Sequence, residues 1–385
     1  MGRSIEVVDG VAAIPRDEWN ALVGDESPFL EWEWLASLEE AGCVGAGSGW
    51  QPQPLLMRDD SRLVAACPLY LKQHSEGEFV FDWGWADAAH RAGIDYYPKL
   101  LVGVPFTPVA GARFLAAPGI DRAEAVAALG SALRQLCDAN GLSGVHVNFC
   151  RADEAQALAG AGYLLRMGLQ YHWHNAGYAT FDDYLGQLRS KRRNQVRRER
   201  RGVREQGVTT RVLHGDAIPD AVFEPMYRCY RATVDAHFYG RRYLNRAFFG
   251  LLAERFRERL CFIVAERGGK IVAGTTNVVK GDAFYGRYWG GLATLRFLHF
   301  DVCYYAAIEH CIEQRLARFE PGAGGDYKFL RGFDPQPTWS AHHLADPRLA
   351  QAVGRFLEAE RADATHAIDV LTRHSQLKPG APRPD

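Results

Sequence analysis

The sequence predicts an α/β protein built from two similar lobes, and three observations carry that prediction. First, two stretches roughly two hundred positions apart share one pattern. Leu55-Leu56-Met57-Arg58-Asp59, a polar turn and Arg62-Leu63-Val64-Ala65-Ala66 are followed by Pro68-Leu69-Tyr70-Leu71-Lys72 and a third strand ending at Phe81-Asp82-Trp83-Gly84-Trp85. Phe262-Ile263-Val264-Ala265-Glu266, a Gly268-Gly269 turn and Lys270-Ile271-Val272-Ala273-Gly274 run on to Tyr285-Gly286-Arg287-Tyr288-Trp289-Gly290. Second, each stretch is followed by a helical apolar period and then a further strand, at 121–149 and again at 301–333. Third, the chain has 385 residues, enough for two ordinary domains. A weak repeat of this length means one domain used twice.

Taken in order, residues 5–8 read as a short strand. Residues 15–23 and 28–41 read as helices, the first opening on Pro15 and acidic residues, the second ending before Gly42. The first meander spans 53–85, and a short helix over 86–92 stops at Gly93. The interior prolines of 96–109 cannot donate ladder bonds, which predicts an edge or bulged strand. Asp121 caps a helix over 121–140 that closes on Asn140-Gly141. A buried strand at 145–149, a helix at 152–161 and strand at 163–178 complete the first cycle. The second cycle has a long basic helix at 182–204, helices at 221–236 and 246–258, a meander at 261–290, a helix at 301–318 and a strand at 326–333. A helical segment at 346–371 precedes a loose tail. The domains expected are therefore 1–168, 169–345 (with the basic helix 182–204) and a C-terminal helix and tail at 346–385.

The composition is 47% hydrophobic and 24% charged, that of a soluble globular protein. The formal net charge of −1 excludes a whole-protein field favouring nucleic acid or acidic membrane, so such a preference needs a local patch. Eight cysteines lack CxxC or zinc spacing and sit in apolar patterns, which predicts free thiols and a reducing cytoplasm. The first residues lack the apolar stretch of a signal peptide, and no run is long enough to span a bilayer. A cytoplasmic protein is expected, with peripheral contact at the inner face of a membrane left open.

Four segments carry chemistry. In Glu320-Pro321-Gly322-Ala323-Gly324-Gly325-Asp326-Tyr327-Lys328-Phe329-Leu330-Arg331, a glycine-rich loop delivers a strand bearing Lys328 and Arg331. A lysine there can stabilise an oxyanion or bind phosphate; the alternative is an ordinary surface strand. Next, His342 beside that strand suggests a general base, although adjacent histidines point opposite ways. Spacing supplies no third ligand, so no metal is expected. Third, Lys191, Arg192, Arg193 and Arg197 on the basic helix form a candidate anion site for tRNA, a pyrophosphate or lipid headgroups, or else a solvated helix. Fourth, Asp82, Trp83 and Asp87, with Tyr97 and Lys99, have the mix of apolar area and polar handles that lines pockets. The other reading is a core cluster, with Trp83 inside and Asp87 at a helix start. Tyr285, Arg287 and Trp289 are the parallel set in the second lobe, and Asp235 and Tyr239 occupy a loop between helices.

The combination of Ser27-Pro28-Phe29-Leu30, Gly49-Trp50-Gln51-Pro52, Pro68-Leu69-Tyr70-Leu71-Lys72, Phe81-Asp82-Trp83, Tyr97-Pro98-Lys99-Leu100 and Pro105-Phe106-Thr107-Pro108-Val109 resembles the bacterial FemAB-like, peptidoglycan biosynthesis/recognition family. Lys191-Arg192-Arg193, Glu320-Pro321-Gly322, Lys328, Arg331-Gly332-Phe333 and Ser340-Ala341-His342 extend the resemblance over nearly the whole chain. It implies two tandem GNAT-like domains, each a mixed, mainly antiparallel sheet flanked by helices. Fem transferases use a lysine in a Phe-Lys motif near the last strand; Tyr327-Lys328 occupies the matching place, with Tyr for Phe. The pyrophosphate loop of ordinary GNAT enzymes has no clear match in Gly290-Gly291-Leu292-Ala293-Thr294-Leu295-Arg296.

The function expected is therefore N-acyl transfer, forming an amide between an activated acyl donor and a primary amine of a cell-envelope precursor, a peptidoglycan peptide or an amino lipid. Acyl-CoA, acyl carrier protein or aminoacyl-tRNA would be co-substrate, with no tightly bound cofactor. The contrasting expectation is a non-catalytic GNAT pair that binds cell-wall fragments or RNA.

Overall fold

The computed structural model describes residues 2–236, 242–378 and 381. The chain divides into two compact units: Met1–Leu169 with Pro337–Ala367, and Gln170–Gln336 with Ile368–Asp385. Residues 337–345 thus belong with the first unit, where the sequence reading runs the second domain through them.

In the first unit, the hairpin Leu55–Asp59 and Arg62–Cys67 pairs with Arg3–Val7 on one side and Leu115–Ala116 on the other, all antiparallel. Pro68 lacks an amide donor and ends that ladder, and the chain resumes as Leu69–Lys72 in a second sheet. There Leu69–Lys72 lies between Trp50–Pro52 and Lys99–Val102, and Lys99–Val102 runs parallel to Gly144–Cys150. The helix Arg122–Ala139 makes the parallel crossover. The Asp121 carboxylate accepts from the Glu124 amide at 2.9 Å, and Ala125, Leu129, Leu133 and Cys137 form its buried stripe. Those side chains pack on Leu100, Val102, Val145 and Val147 in one apolar core.

Two expectations change here. The third strand of the first repeat is Lys99–Val102; Trp83–Arg91 is a helix, and 73–98 is an insertion between the strands. The proline-flanked strand is interior to its sheet, because Pro98, Pro105 and Pro108 all fall outside its four residues.

In the second unit, Thr209–His214, Leu260–Arg267, Lys270–Lys280 and Ala283–Gly291 form an antiparallel ladder. Ala283–Gly291 then runs parallel to Arg318–Glu320. The helix Phe223–Ala236 lies directly on Ala283–Gly291: a Cβ on Gly290 would fall 1.6 Å from the Cys229 carbonyl oxygen, so only glycine permits this approach.

The long basic helix is two helices, Phe181–Gln187 and Ser190–Glu205. Leu188 and Arg189 are extended between them, and the Arg189 amide donates to the Gln376 carbonyl at 3.0 Å. The strand expected at 326–333 is a helical turn, Phe329–Arg331, and the strand begins at Asp334. The cause is local: the Lys328 amide bonds back to the Gly325 carbonyl, and Gly332 ends the turn at φ +76°.

A candidate functional site in the second unit

The parallel pairing of Ala283–Gly291 with Arg318–Glu320 stops at Tyr285↔Glu320. Beyond it the strands separate. Gly322, at φ +83°, turns the chain away; a Cβ there would come within 3.3 Å of the Gly286 carbonyl. On its other edge, Ala283–Gly291 carries a bulge: Thr276 faces Tyr288 and Asn277 faces Gly286, so Arg287 is the extra residue. Gly286 keeps the mouth clear, since a side chain would meet the Phe319 ring at 3.1 Å and Pro321 at 3.3 Å.

A cavity of about 160 Å³ opens at this divergence, lined by Asn277, Arg287, Trp289, His299, Tyr304 and Lys328 among others. Among the described residues lining it, none is a carboxylate. The helix beyond the strand contains a π-turn, Asp301–Tyr305, which sends Cys303 and Tyr304 to the cavity and Tyr305 towards Glu199.

Lys328 is 2% exposed. Its ammonium donates to the carbonyls of Gly322 at 2.5 Å and Ala323 at 3.2 Å, leaving one of three protons for the cavity. Burial, with the Arg287 charge nearby, lowers its pKa to about 8. Arg331 does not line the cavity. It is buried, ion-paired to Glu199 at 2.9 Å, donates to the Tyr305 hydroxyl at 2.8 Å and to the Tyr327 carbonyl at 2.9 Å, and stacks on Phe300 at 3.6 Å. Tyr184 donates to its carbonyl. Arg331 therefore pins the turn that presents Lys328. His299, edge-on to Trp289 at 5.1 Å, is held neutral with a pKa near 4 by burial and then by the Arg331 and Lys328 charges.

Of the residues singled out in the sequence, Lys328, Arg287 and Trp289 meet here. Tyr285 is buried and accepts from Arg318 at 3.1 Å instead of lining the cavity. His342 belongs to the first unit, where its Nδ1 meets Nδ1 of His146 at 2.8 Å and its Nε2 meets the Ser340 hydroxyl. Burial takes its pKa to about 3, which ends its candidacy as a base. Thr275, Asn277, His299, Cys303 and Tyr304 were not legible as site residues. The only signal was the second meander, whose middle strand had to face whatever its aromatic neighbour faced.

Of the remaining candidates of the first unit, Asp82, Tyr97 and Lys99 belong to one charge network, which Lys72 joins through Glu78 at 3.9 Å. The Lys99 ammonium donates to Asp82 at 2.5 Å, to the Ser75 hydroxyl at 2.8 Å and to Glu78 at 3.0 Å; Tyr96 donates to Asp82 at 2.7 Å. The Tyr97 hydroxyl joins through Ser75 at 2.7 Å. Asp87 is outside it, exposed and paired with Arg91. Trp83 is 59% exposed and Trp85 is the core residue, the reverse of the core reading. Asp235 pairs with Arg231 and Arg242, and Tyr239 lies outside the described residues. On the basic helix, Arg192 is committed to Gln376 and Gln195, and Arg193 reaches Ser190 at 3.4 Å. Lys191 is exposed, and Arg197 pairs with Asp182 at 3.2 Å. One further grouping, Cys137, Asp138 and His343, has metal-ligand proximity. Burial raises the Cys137 thiol to about 11 and it donates to the Leu142 carbonyl, a poor state for a ligand.

The repeated strand order, with the divergence and bulge of the second unit, defines a tandem GNAT fold. The chain belongs to the FemAB-like family, described as peptidoglycan biosynthesis/recognition, which matches residues 10–379. FemX superimposes with a TM-score of 0.55 at 11% identity, over 92% of this chain and all (100%) of that one. The C-terminal domain of a putative lysylphosphatidylglycerol synthetase from Agrobacterium fabrum gives 0.55 at 12%, over 89% and 95%. The L-PGS of Bacillus licheniformis gives 0.51 at 11%, over 84% and 95%. No curated protein matches the sequence. No helix among the described residues is long and apolar enough to cross a membrane.

Proposed function

We propose that the second unit is an amide-forming N-acyltransferase that acts on a primary amine of a cell-envelope component. The observation that carries this reading is Lys328: a buried lysine with one uncommitted proton, in the opening between diverging parallel strands, in a cavity without carboxylates. The family's description and the fold shared with FemX and the lysylphosphatidylglycerol synthetases support the substrate class.

The chemistry follows from the site's charges. The attacking amine must be neutral, and an amine bound beside Lys328 and Arg287 has its own pKa lowered by them. Its nitrogen attacks the acyl carbon. The carbonyl electrons move to oxygen, and the Lys328 ammonium stabilises the oxyanion. Collapse expels the leaving group, which takes the proton lost by the amine, directly or through water, giving amide and free carrier. With its low pKa, His299 orients groups by accepting hydrogen bonds and is a weak base.

Cavity size bears on the donor. The cavity of about 160 Å³ is large enough for a short acyl group of roughly six heavy atoms, by comparison with a closed cavity of about 150 Å³ that holds benzene. The test is turnover of acyl-CoAs from acetyl to palmitoyl, and of aminoacyl-tRNA, with a stem-peptide or amino-lipid acceptor. Acceptor-dependent turnover of a short donor, lost in Lys328→Met, is expected. Turnover untouched by that substitution would overturn the role of Lys328. Stem-peptide binding without turnover of any donor would favour the non-catalytic reading.

A further inference from the structure

The cavity of the second unit is cationic. Lys328 and Arg287 both line it, and among the described residues lining it there is no carboxylate. The carboxylates of the surrounding shell are engaged elsewhere. Glu199 is held by Arg331 at 2.9 Å and Asp301 by Arg200 at 3.3 Å. Glu320 is held by Arg318 at 2.9 Å, on the face of its strand opposite Phe319, which is the residue that lines the cavity. The positive field reaches His299, where burial first, and then the Arg331 and Lys328 charges, keep the imidazole neutral. The two cations differ in setting. Lys328 is buried, with its ammonium on two carbonyls. Arg287 is half-buried, is the extra residue of the strand bulge, and has its guanidinium carbon 5.1 Å from the centre of the Tyr288 ring.

Such a cavity discriminates among amines. A simple alkylamine is an ammonium ion at neutral pH, with a pKa of about 10.4. A third cation entering a space with two cations and no carboxylate is repelled by both. An amine that brings its own anion enters with no net charge. Its anion then meets the guanidinium, while its nitrogen loses a proton more easily beside Lys328.

We infer that the acceptor amine carries a carboxylate close to its reacting nitrogen, and that Arg287 binds this carboxylate, a step that rests on the acyl-transfer reading. Donor counts divide the work. Lys328 has one proton left after Gly322 and Ala323, and the oxyanion takes it. A guanidinium presents parallel N–H groups in one plane, which match the two oxygens of a carboxylate. A phosphate offers its oxygens tetrahedrally and calls for further donors, so it would compete for Lys328. The carboxylate is a spectator: it makes and breaks no bond in the transfer, and its work is to admit and hold the amine.

Three probes read this without turnover: N-acetylglycine, its neutral isostere N-acetylglycinamide, and N-acetyl-O-phosphoethanolamine. Each joins a finished amide to the group in question. Titrated against the full chain by ligand-observed NMR, N-acetylglycine should bind about tenfold more tightly than the neutral isostere, the scale of one charge-assisted contact, and more tightly than the phosphate. Arg287→Gln should bring acid and isostere within about twofold of each other, with thermal unfolding unchanged. Arg287→Lys should keep part of the preference, because charge survives and the planar fork does not. Arg211→Gln, which removes an exposed arginine of the same unit outside the cavity, should leave the preference intact. Equal affinity for acid and isostere, a preference that survives Arg287→Gln, one lost equally in Arg211→Gln, or tighter binding of the phosphate overturns the inference. In turnover, Arg287→Gln should raise KM for amino-acid acceptors about tenfold with kcat little changed, the mark of lost uniform binding. The two readings fail separately. Equal turnover of glycine and glycinamide would leave acyl transfer standing and remove the carboxylate site. Arg287-dependent binding of the acid, with no turnover of any donor, would leave the carboxylate site and remove acyl transfer.

Discussion

Lys99 of the first unit and Lys328 of the second are both buried lysines, and the two have opposite surroundings. Lys99 of the first unit is 0% exposed; burial pulls its pKa down, but Glu78 and Asp82 outweigh that and raise it. Lys328 of the second has neutral carbonyls, the Cys303 thiol and a nearby arginine around it, and burial lowers it to about 8. The backbones diverge in the same way. Past Val102↔Val147 in the first unit, the chain itself occupies the space: Val104, Phe106 and Val109 are buried, Gly111 donates to the Phe149 carbonyl, and Arg113 donates to that of Asn148 at 2.7 Å. Past Tyr285↔Glu320 in the second, the space is a cavity. Duplication supplied two copies of one opening. In the first unit that space is filled with apolar chain, and Lys99, at the other end of its strand, is paired with carboxylates; in the second the space is a cavity that Lys328 lines with no carboxylate beside it.

Exchanging the lysines for methionine breaks the comparison most directly. Lys99→Met leaves Asp82 buried without its cation and Glu78 with only Lys72, at 3.9 Å, and removing one partner of a buried pair costs about 3–5 kcal/mol. Denaturant unfolding should show that loss, with turnover per folded molecule unchanged. Lys328→Met should do the reverse: a fall of about 10²–10³ in kcat, with the unfolding midpoint kept or raised, because no carboxylate is stranded. Equal stability losses in the two variants would mean that Lys328 is structural as well.

Glycines sharpen the contrast at a smaller scale. Gly290→Ala places a Cβ on the Cys229 carbonyl and should cost at least about 1–3 kcal/mol as overpacking. Gly103→Ala, at the divergence in the first unit, meets only Leu101 and Asn148 at 3.8–3.9 Å and should change stability by about 0.5 kcal/mol or less. Thermal unfolding of both variants decides it.

Much of this was legible in the chain. The repeat, the capped helix behind Asp121 and the second meander followed from periodicity and turn residues. Local rules failed where tertiary context chose. Phe81 to Trp85 has strand composition, yet the Lys99 network holds Asp82 at a helix start. Tyr327 to Phe333 alternates like a strand, but Gly325 and Gly332 let the turn close and Arg331 locks it on Glu199. Lys328 was identifiable because motif and glycines coincide. His299 and Asn277 were not, since nothing in their neighbours' spacing says which way a π-turn or a bulged strand will face them. His342 misled because burial beside His146 is a fact of sheet pairing, invisible along the chain.

The finest distinction is in pH. If protonated Lys328 stabilises the oxyanion, kcat/KM should fall as pH rises through about 8, roughly tenfold by a unit above it. The fall cannot be unfolding driven by this group. Its folded pKa lies below its unfolded value, so between the two the unfolded chain binds more protons and the fold gains stability as pH rises. Lys99 does not titrate in this window, because its shift is upward. Lys328→Arg keeps a charge through the range and should retain part of the activity with the alkaline limb gone. A limb that persists in that variant would assign the titration to the acceptor amine or to another group, and would leave Lys328 only the task of holding the Gly322–Ala323 loop.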